Sequence, residues 1–264
     1  MEHPMRTAHI ALAASAAILG TAVTAEAKSA VGLVGDNTLV MIDASKPGAG
    51  KSMTVKGVER LLGIDVRPAD RKLYGVAADG AVVTIDTATG EATKVAMLDK
   101  MLPAGTGAIV DFNPAADKLR FMGHDGTNLR VDPATGKVTT DGSLAFEAGD
   151  MHAGAKPNVV AAAYTNSFGK PEKTAMYDID ASIGALIQQT KPNDGTLKAI
   201  GKLGVDGAKS IAFDVHTSAD GTNTAWLVAD NVLHTVALDT GKASKVSALE
   251  GLAANLRDIA VLAD

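Results

Sequence analysis

From about residue 30 onward, apolar side chains recur at every second position in short runs, and each run ends in Gly, Asp, Asn or Pro. Segments 72–76 (Lys-Leu-Tyr-Gly-Val), 81–85 (Ala-Val-Val-Thr-Ile), 118–122 (Lys-Leu-Arg-Phe-Met) and 225–228 (Ala-Trp-Leu-Val) are of this kind. A period of two places alternate residues on opposite faces of a β-strand, whereas a helix would need apolar residues three and four apart. The pattern therefore predicts an all-β chain of many short strands.

The strands are organised by a repeat. One phrase, a β-rich run followed by Asp, a few small residues and Gly, occurs as Val83-Thr84-Ile85-Asp86-Thr87-Ala88-Thr89-Gly90. It returns at Leu129-Arg130-Val131-Asp132-Pro133-Ala134-Thr135-Gly136 and at Val236-Ala237-Leu238-Asp239-Thr240-Gly241, with looser copies at Asp43 to Gly48 and Asp180 to Gly184. The phrase predicts a hairpin, with the Asp carboxylate accepting turn N–H groups and Gly supplying positive φ. The turn aspartates Asp43, Asp86, Asp132, Asp180 and Asp239 lie 43, 46, 48 and 59 residues apart, which suits one four-stranded blade of roughly 40 to 50 residues per hairpin.

A second phrase precedes the hairpins: Gly63-Ile64-Asp65-Val66-Arg67-Pro68, Ile109-Val110-Asp111-Phe112-Asn113-Pro114 and Ile211-Ala212-Phe213-Asp214-Val215-His216. Each is expected to be the innermost strand of a blade. Arg257-Asp258-Ile259-Ala260-Val261-Leu262 reads as another copy with nothing after it, while residues 31–43 read as a blade lacking its inner strand. Joining the two closes a ring and removes open sheet edges. The expectation is a five-bladed β-propeller closed by pairing of the N- and C-terminal strands, with residues 157–204 fitting the template least well.

The first 27 residues differ in kind. Arg6 precedes an apolar stretch from Ala8 to Val23 that ends in Ala25-Glu26-Ala27, the layout of a secretory leader with small residues at the cleavage site. The run is shorter than a membrane-spanning helix of roughly 20 residues requires. This divides the chain into a removable leader, 1–27, and one propeller domain, 28–264, in the periplasm or outside the cell, with no membrane span after cleavage. There is no cysteine, so an exported domain must rely on its core alone. The formal net charge of −5 shows no basic stripe, which argues against nucleic acid as a partner. Aromatic residues make up 3% of the chain and Trp226 is its single tryptophan, so stacking platforms are scarce. A monomer is expected.

Three runs carry a family resemblance: Asp125-Gly126-Thr127-Asn128-Leu129-Arg130-Val131-Asp132, Ala161-Ala162-Ala163-Tyr164-Thr165-Asn166-Ser167-Phe168 and Asn193-Asp194-Gly195-Thr196-Leu197. Over essentially the whole mature chain the sequence resembles the bacterial exported family known as domain of unknown function 4394. The resemblance implies a propeller-like fold and carries over no activity and no catalytic residue.

Candidate chemistry is sparse. Asp65, Asp111 and Asp214 hold the same place in three inner strands, so ring symmetry brings them to similar depth around the axis. Converging carboxylates can bind Ca²⁺; alternatively each bonds backbone N–H groups of the next blade. On alignment of the phrases, Leu262 takes this place in the closing strand. Asn128, Arg130, Tyr164, Asn166, Asp194 and Arg257 mix donors with a carboxylate and form a candidate site for a small polar ligand or anion, against a role in hydrogen bonding between blades. His124, His152, His216 and His234 lack compact metal-site spacing. Pro47-Gly48-Ala49-Gly50-Lys51-Ser52 mimics the end of a phosphate loop, but a strand pattern follows it where a helix is required. Asp220-Gly221-Thr222-Asn223 reads as a plain turn, and no Gly-x-Ser-x-Gly elbow is present. The chain reads as a binding or scaffold protein for a small polar ligand, a cation or a protein partner. The alternative is a Ca²⁺-dependent hydrolase or lactonase-like enzyme built on the three aspartates.

Overall fold

A computed structural model describes Met1 and residues 29–43, 49–205 and 207–262; residues 2–27 of the expected leader and residues 47–48 of the loop that mimics a phosphate site lie outside them. The described chain is strand throughout, and among the described residues no helix is long and apolar enough to cross a membrane.

The strands follow in blades. The chain opens with β1 (Ser29–Val34), β2 (Thr38–Asp43) and β3 (Ala49–Thr54) of blade 1. Blade 2 is β4 (Leu61–Arg67), β5 (Lys72–Ala77), β6 (Ala81–Ile85) and β7 (Ala92–Met97). Blade 3 is β8 (Ala108–Asn113), β9 (Lys118–Gly123), β10 (Asn128–Val131) and β11 (Val138–Thr140). Blade 4 takes β12 (Ala145–Phe146), β13 (Val159–Tyr164), β14 (Met176–Asp180), β15 (Ala185–Lys191) and β16 (Thr196–Lys202). Blade 5 is β17 (Ile211–Thr217), β18 (Asn223–Ala229), β19 (Val232–Val236) and β20 (Ala243–Ala248), and β21 (Leu256–Val261) ends the chain. β21 pairs antiparallel with β1, from Ala30↔Val261 to Leu33↔Asp258, so the last strand becomes the innermost of blade 1. The protein is a five-bladed β-propeller, ring closed as the sequence predicts.

Alternation places the core between blades rather than at the centre. Val31, Leu33 and Leu39 of blade 1 pack with Leu61, Ile64 and Val83 of blade 2. Trp226 and Val228 of blade 5 pack with Val40 and Ile259 of blade 1. Three further apolar clusters fill the remaining junctions. Each inner strand is buried on both faces, as in β4 and β17, while outer strands such as β7 stay largely exposed.

The hairpin phrase behaves as expected in blades 2 and 3. Asp86 Oδ1 accepts the Ala88 and Thr89 N–H groups at 2.8 and 3.0 Å, and Asp132 Oδ1 accepts those of Ala134 and Thr135 at 3.0 and 3.1 Å. Gly90 and Gly136 adopt φ of 75° and 74°, and a Cβ on Gly90 would approach the Thr54 carbonyl of blade 1 at 2.6 Å. Blade 4 departs from the template. Asp180 caps a turn with Ser182 at 2.8 Å, but that turn joins β14 to β15, the second and third strands, whereas the other repeats of the phrase join third to fourth. The outer hairpin of blade 4 is instead the 192–195 turn, which contains Asp194. The stretched interval from Asp180 to Asp239 follows from this early turn, and the long connection into β13 that precedes Asp180 carries β12, which adds to the blade in parallel beside β16.

One buried polar pair is left under-satisfied. Gln189 donates through Nε2 to Asp178 Oδ2 at 2.9 Å, while Asp178 Oδ1 and Gln189 Oε1 have no hydrogen-bond partner among the described residues. Burial pushes the Asp178 carboxyl up to about 7, against the lowering effect of Gln189. A folded-state value above the unfolded one means that stability falls as pH rises from about 4 to about 7. Asp178→Asn replaces the ionising oxygen by a donor. The variant should melt a few degrees above the parent at pH 8, by roughly 1–2 kcal/mol, and near it at pH 5, in thermal unfolding followed by circular dichroism.

Candidate functional site: the inner ring of carboxylates

An innermost strand has a neighbour on one side only, so the N–H groups along its free edge need other acceptors. Three aspartates meet that need for one tier of all five strands. Asp65 of β4 accepts Val66 N–H at Oδ1 and Phe112 N–H of β8 at Oδ2, both at 2.6 Å. Asp111 of β8 accepts Tyr164 N–H of β13 at Oδ1, 2.9 Å. Asp214 of β17 accepts Val215 N–H at Oδ1 and Val261 N–H of β21 at Oδ2, both at 2.6 Å. The strands without an aspartate carry Ala163 and Ala260 at this level. After each of them the next N–H, Val215 or Val66, turns to its own aspartate. The bond from Val261 sets the register, so the closing strand puts Ala260 in the ring, and the expectation of Leu262 there is corrected.

Asp258, two residues earlier on β21, does the same one tier away, accepting Ile64 N–H at 2.8 Å and Ile259 N–H at 3.0 Å. It reaches β4 because residue 63 is glycine: a Cβ there would lie 2.9 Å from Asp258 Oδ2 and 2.7 Å from Val110 Cγ2. The sequence reading contained Asp258 in the fourth copy of the inner-strand phrase but passed over it as a site residue.

The tie between blades does not separate the three carboxylates. One oxygen from each of Asp65, Asp111 and Asp214 lies within 4.8 Å of the others, and the residues are 7%, 4% and 7% exposed. Twice a Ca–O distance of about 2.4 Å is the widest spacing at which two oxygens share one ion. Among the described residues the trio offers six oxygens for five backbone N–H groups, and the one without a backbone donor is Asp111 Oδ2. Below the ring a cavity of about 30 Å³, lined also by Arg71, Ser167, Phe168 and His216, has room for one water-sized occupant. Burial, then mutual repulsion, holds the Asp65 and Asp111 carboxyls well above their ordinary range, and burial lifts Asp214 to about 6. Asp258 is pushed up to about 7, again chiefly by burial. A cation would reverse this balance by favouring the charged forms.

The second set of candidates does not converge on one point, although Tyr164 and Asp194 line a common open pocket. Asn128, Arg130 and Tyr164 gather around Arg120, which is 2% exposed. Arg120 donates to Tyr164 Oη at 3.1 Å, Asn128 Oδ1 at 2.9 Å, Asp141 Oδ2 at 2.7 Å and Asn193 Oδ1 at 2.9 Å. Arg130 completes a second ion pair to Asp141 at 3.0 Å. This network binds blade 3 to blade 4. Its buried centre was missed because Arg120 sits in a strand run that reads equally well as solvent-facing. Asn166 exchanges hydrogen bonds with Asn223 of blade 5 at 2.9 and 3.0 Å. Asp194 is exposed in the outer turn of blade 4, and Arg257 lies at the end of the channel where inner strands begin, far along β21 from the ring.

The histidines are dispersed. His152 lies against Phe146, with ring centroids 5.4 Å apart, and His234 Nδ1 is 2.9 Å from the Val232 carbonyl. His124 stands in the β9–β10 turn, with burial lowering its pKa. Asp220 accepts from Thr222 N–H at 3.0 Å in a plain turn between β17 and β18. Ser52 of the phosphate-loop mimic lies in β3, where a strand replaces the required helix.

A model of the family described as Domain of unknown function (DUF4394) matches residues 38–260. The chain belongs to this family. No curated protein matches it. Among solved structures, DUF4394 membership is accompanied by likeness to a protein of unknown function from Bacteroides thetaiotaomicron. That protein is 17% identical over 91% of this chain and 66% of its own length, with TM-score 0.53. A protein of unknown function from Bacteroides caccae is 13% identical over 86% of this chain and 76% of its own, TM-score 0.44. An auxiliary nutrient binding protein from B. thetaiotaomicron is 11% identical over 75% of this chain and 56% of its own, TM-score 0.46. The chain thus spans less than two thirds of two of these proteins, and the first likeness bears on the fold alone.

The ring's hydrogen bonds rank its members. Asparagine keeps one acceptor and loses one, so Asp111→Asn can still receive Tyr164 N–H and leaves the repulsive cluster less charged. Asp65→Asn and Asp214→Asn each strand one backbone N–H, a loss of about 1–3 kcal/mol. In chelator, Asp111→Asn should be at least as stable as the parent in urea unfolding, and the other two should be less stable than Asp111→Asn by at least about 1 kcal/mol. Equal effects at all three positions would show that the N–H count does not set their roles.

Proposed function

We propose that this DUF4394 protein is an exported binding protein that takes a hard divalent cation, Ca²⁺ first among them, at the carboxylate ring. The observation that carries the reading is the convergence of one oxygen from each of Asp65, Asp111 and Asp214 to within 4.8 Å. It is supported by the Asp111 oxygen without a backbone donor and by a cavity of single-ion size beneath the ring. Those three oxygens form half of a Ca²⁺ shell of six to eight, with water as the natural completion on the cavity side. Oxygen donors that already accept one N–H retain a lone pair for the ion. The leader expected at 1–27 supports an extracytoplasmic setting, where Ca²⁺ is the abundant hard divalent ion.

A cation that binds only the native state raises stability by mass action, by about 2.7 kcal/mol at a hundredfold excess over Kd. After exhaustive chelation, millimolar Ca²⁺ should raise the melting temperature by several degrees, and the rise should vanish in Asp111→Asn, the variant expected to fold without the ion. Unchanged melting of the parent with Ca²⁺, Mg²⁺, Mn²⁺ or Zn²⁺ rejects the reading.

A further inference from the structure

The opposite end of the channel has the opposite charge. Where the inner strands begin, a cavity of 350 Å³ is lined by Arg60, Lys209, Arg257 and His124, and among the described residues no carboxylate lines it. In a chain of net charge −5, such a mouth is not an average of the surface.

Arg257 is its fixed element. Its guanidinium donates to the carbonyls of Gly35 at 2.5 Å, Asp36 at 3.1 Å and Leu62 at 3.3 Å, and to that of Leu61. Carbonyls orient the group without neutralising it, and among the described residues no carboxylate forms a direct ion pair with it, Asp258 and Asp36 acting on it only through space. Burial lowers its pKa, against the opposing pull of Asp258 and Asp36. A half-buried charge held rigidly by carbonyls, with no carboxylate in direct contact, is costly to the fold and is pre-organised for an anion. Arg60 and Lys209 are exposed at the rim; Arg60 makes only a 3.5 Å contact with Asp36, its side chain 60% exposed, a pairing that water screens. Leu62, Val160 and Ile211 supply apolar wall between the cations.

We propose that this mouth is a second binding site, for a short organic di- or tricarboxylate. Cationic groups on separate blades, Arg60 on the approach to β4, Lys209 on the approach to β17 and Arg257 on β21, favour a ligand with more than one acid group. The apolar wall favours a carbon skeleton between those groups over a bare inorganic ion, and the volume falls at the small end of ligand pockets. The site is independent of the cation ring at the other end of the channel.

The test is isothermal titration of the purified protein with succinate, glutarate and tricarballylate, beside inorganic phosphate and the uncharged dimethyl succinate. At least one of the acids should bind with micromolar to millimolar Kd, weaken with added salt, and lose tenfold or more in affinity in the Arg60→Gln/Lys209→Gln double variant. Both changes are at exposed side chains, so the parent's melting temperature should be kept. Asp111→Asn should bind the acid as the parent does, which separates this site from the cation ring. Binding of none of the acids, phosphate binding as tightly as the acids, or affinity unmoved in the double variant would each overturn the proposal.

Discussion

A propeller ring gives every blade one strand whose inner edge faces no other strand. Backbone N–H groups there are shut away from bulk water by the blades around them, and leaving one unpaired costs about 1–3 kcal/mol. In this chain the requirement is met by aspartates placed so that each carboxylate reaches the N–H of the following blade: Asp65 to Phe112, Asp111 to Tyr164, Asp214 to Val261, and Asp258 to Ile64. The bonds run around the ring in one direction, and the last two cross the junctions made by the C-terminal strand. Closure of the ring is therefore polar at its centre and apolar at its blade junctions, with no disulfide available to either.

The same requirement generates the chemistry. Carboxylates that must sit at the inner edges are brought close by the ring's geometry, and repulsion between them follows without any further design. At the far mouth, Arg257 is held by carbonyls in the same economy of unpaired edge groups, with no carboxylate in direct contact among the described residues. The channel thus has a carboxylate end and a cationic end, each set by strand-edge hydrogen bonding.

Much of this was legible in the residues. The two-residue period, the Asp-to-Gly turn phrase and the inner-strand phrase together specify five blades and their closure, because each corresponds to a physical element that recurs with the repeat. The equivalence of Asp65, Asp111 and Asp214 could be read for the same reason. What escaped were features that depend on register. Asp180 carries the turn phrase yet caps the neighbouring turn, since an Asx turn is local chemistry and does not encode which strands it joins. Ala260 rather than Leu262 stands in the ring, because phrase alignment cannot see a register fixed by a hydrogen bond from another blade. Arg120 is buried at the blade 3–4 junction among partners 8 to 73 residues away in sequence, and nothing local distinguishes it from an arginine in water. The six residues grouped by family-like phrases are spread over several separate places, because similarity of phrase marks neither a shared pocket nor a contact.

The most direct measurement is anomalous diffraction at long wavelength from crystals of the protein grown with Ca²⁺. A single calcium peak is expected at the carboxylate ring, about 2.3–2.6 Å from an oxygen of each of Asp65, Asp111 and Asp214, with the bonds from Phe112, Tyr164 and Val261 retained. A ring without a peak, or with any of the three carboxylates beyond that distance from the ion, would contradict it.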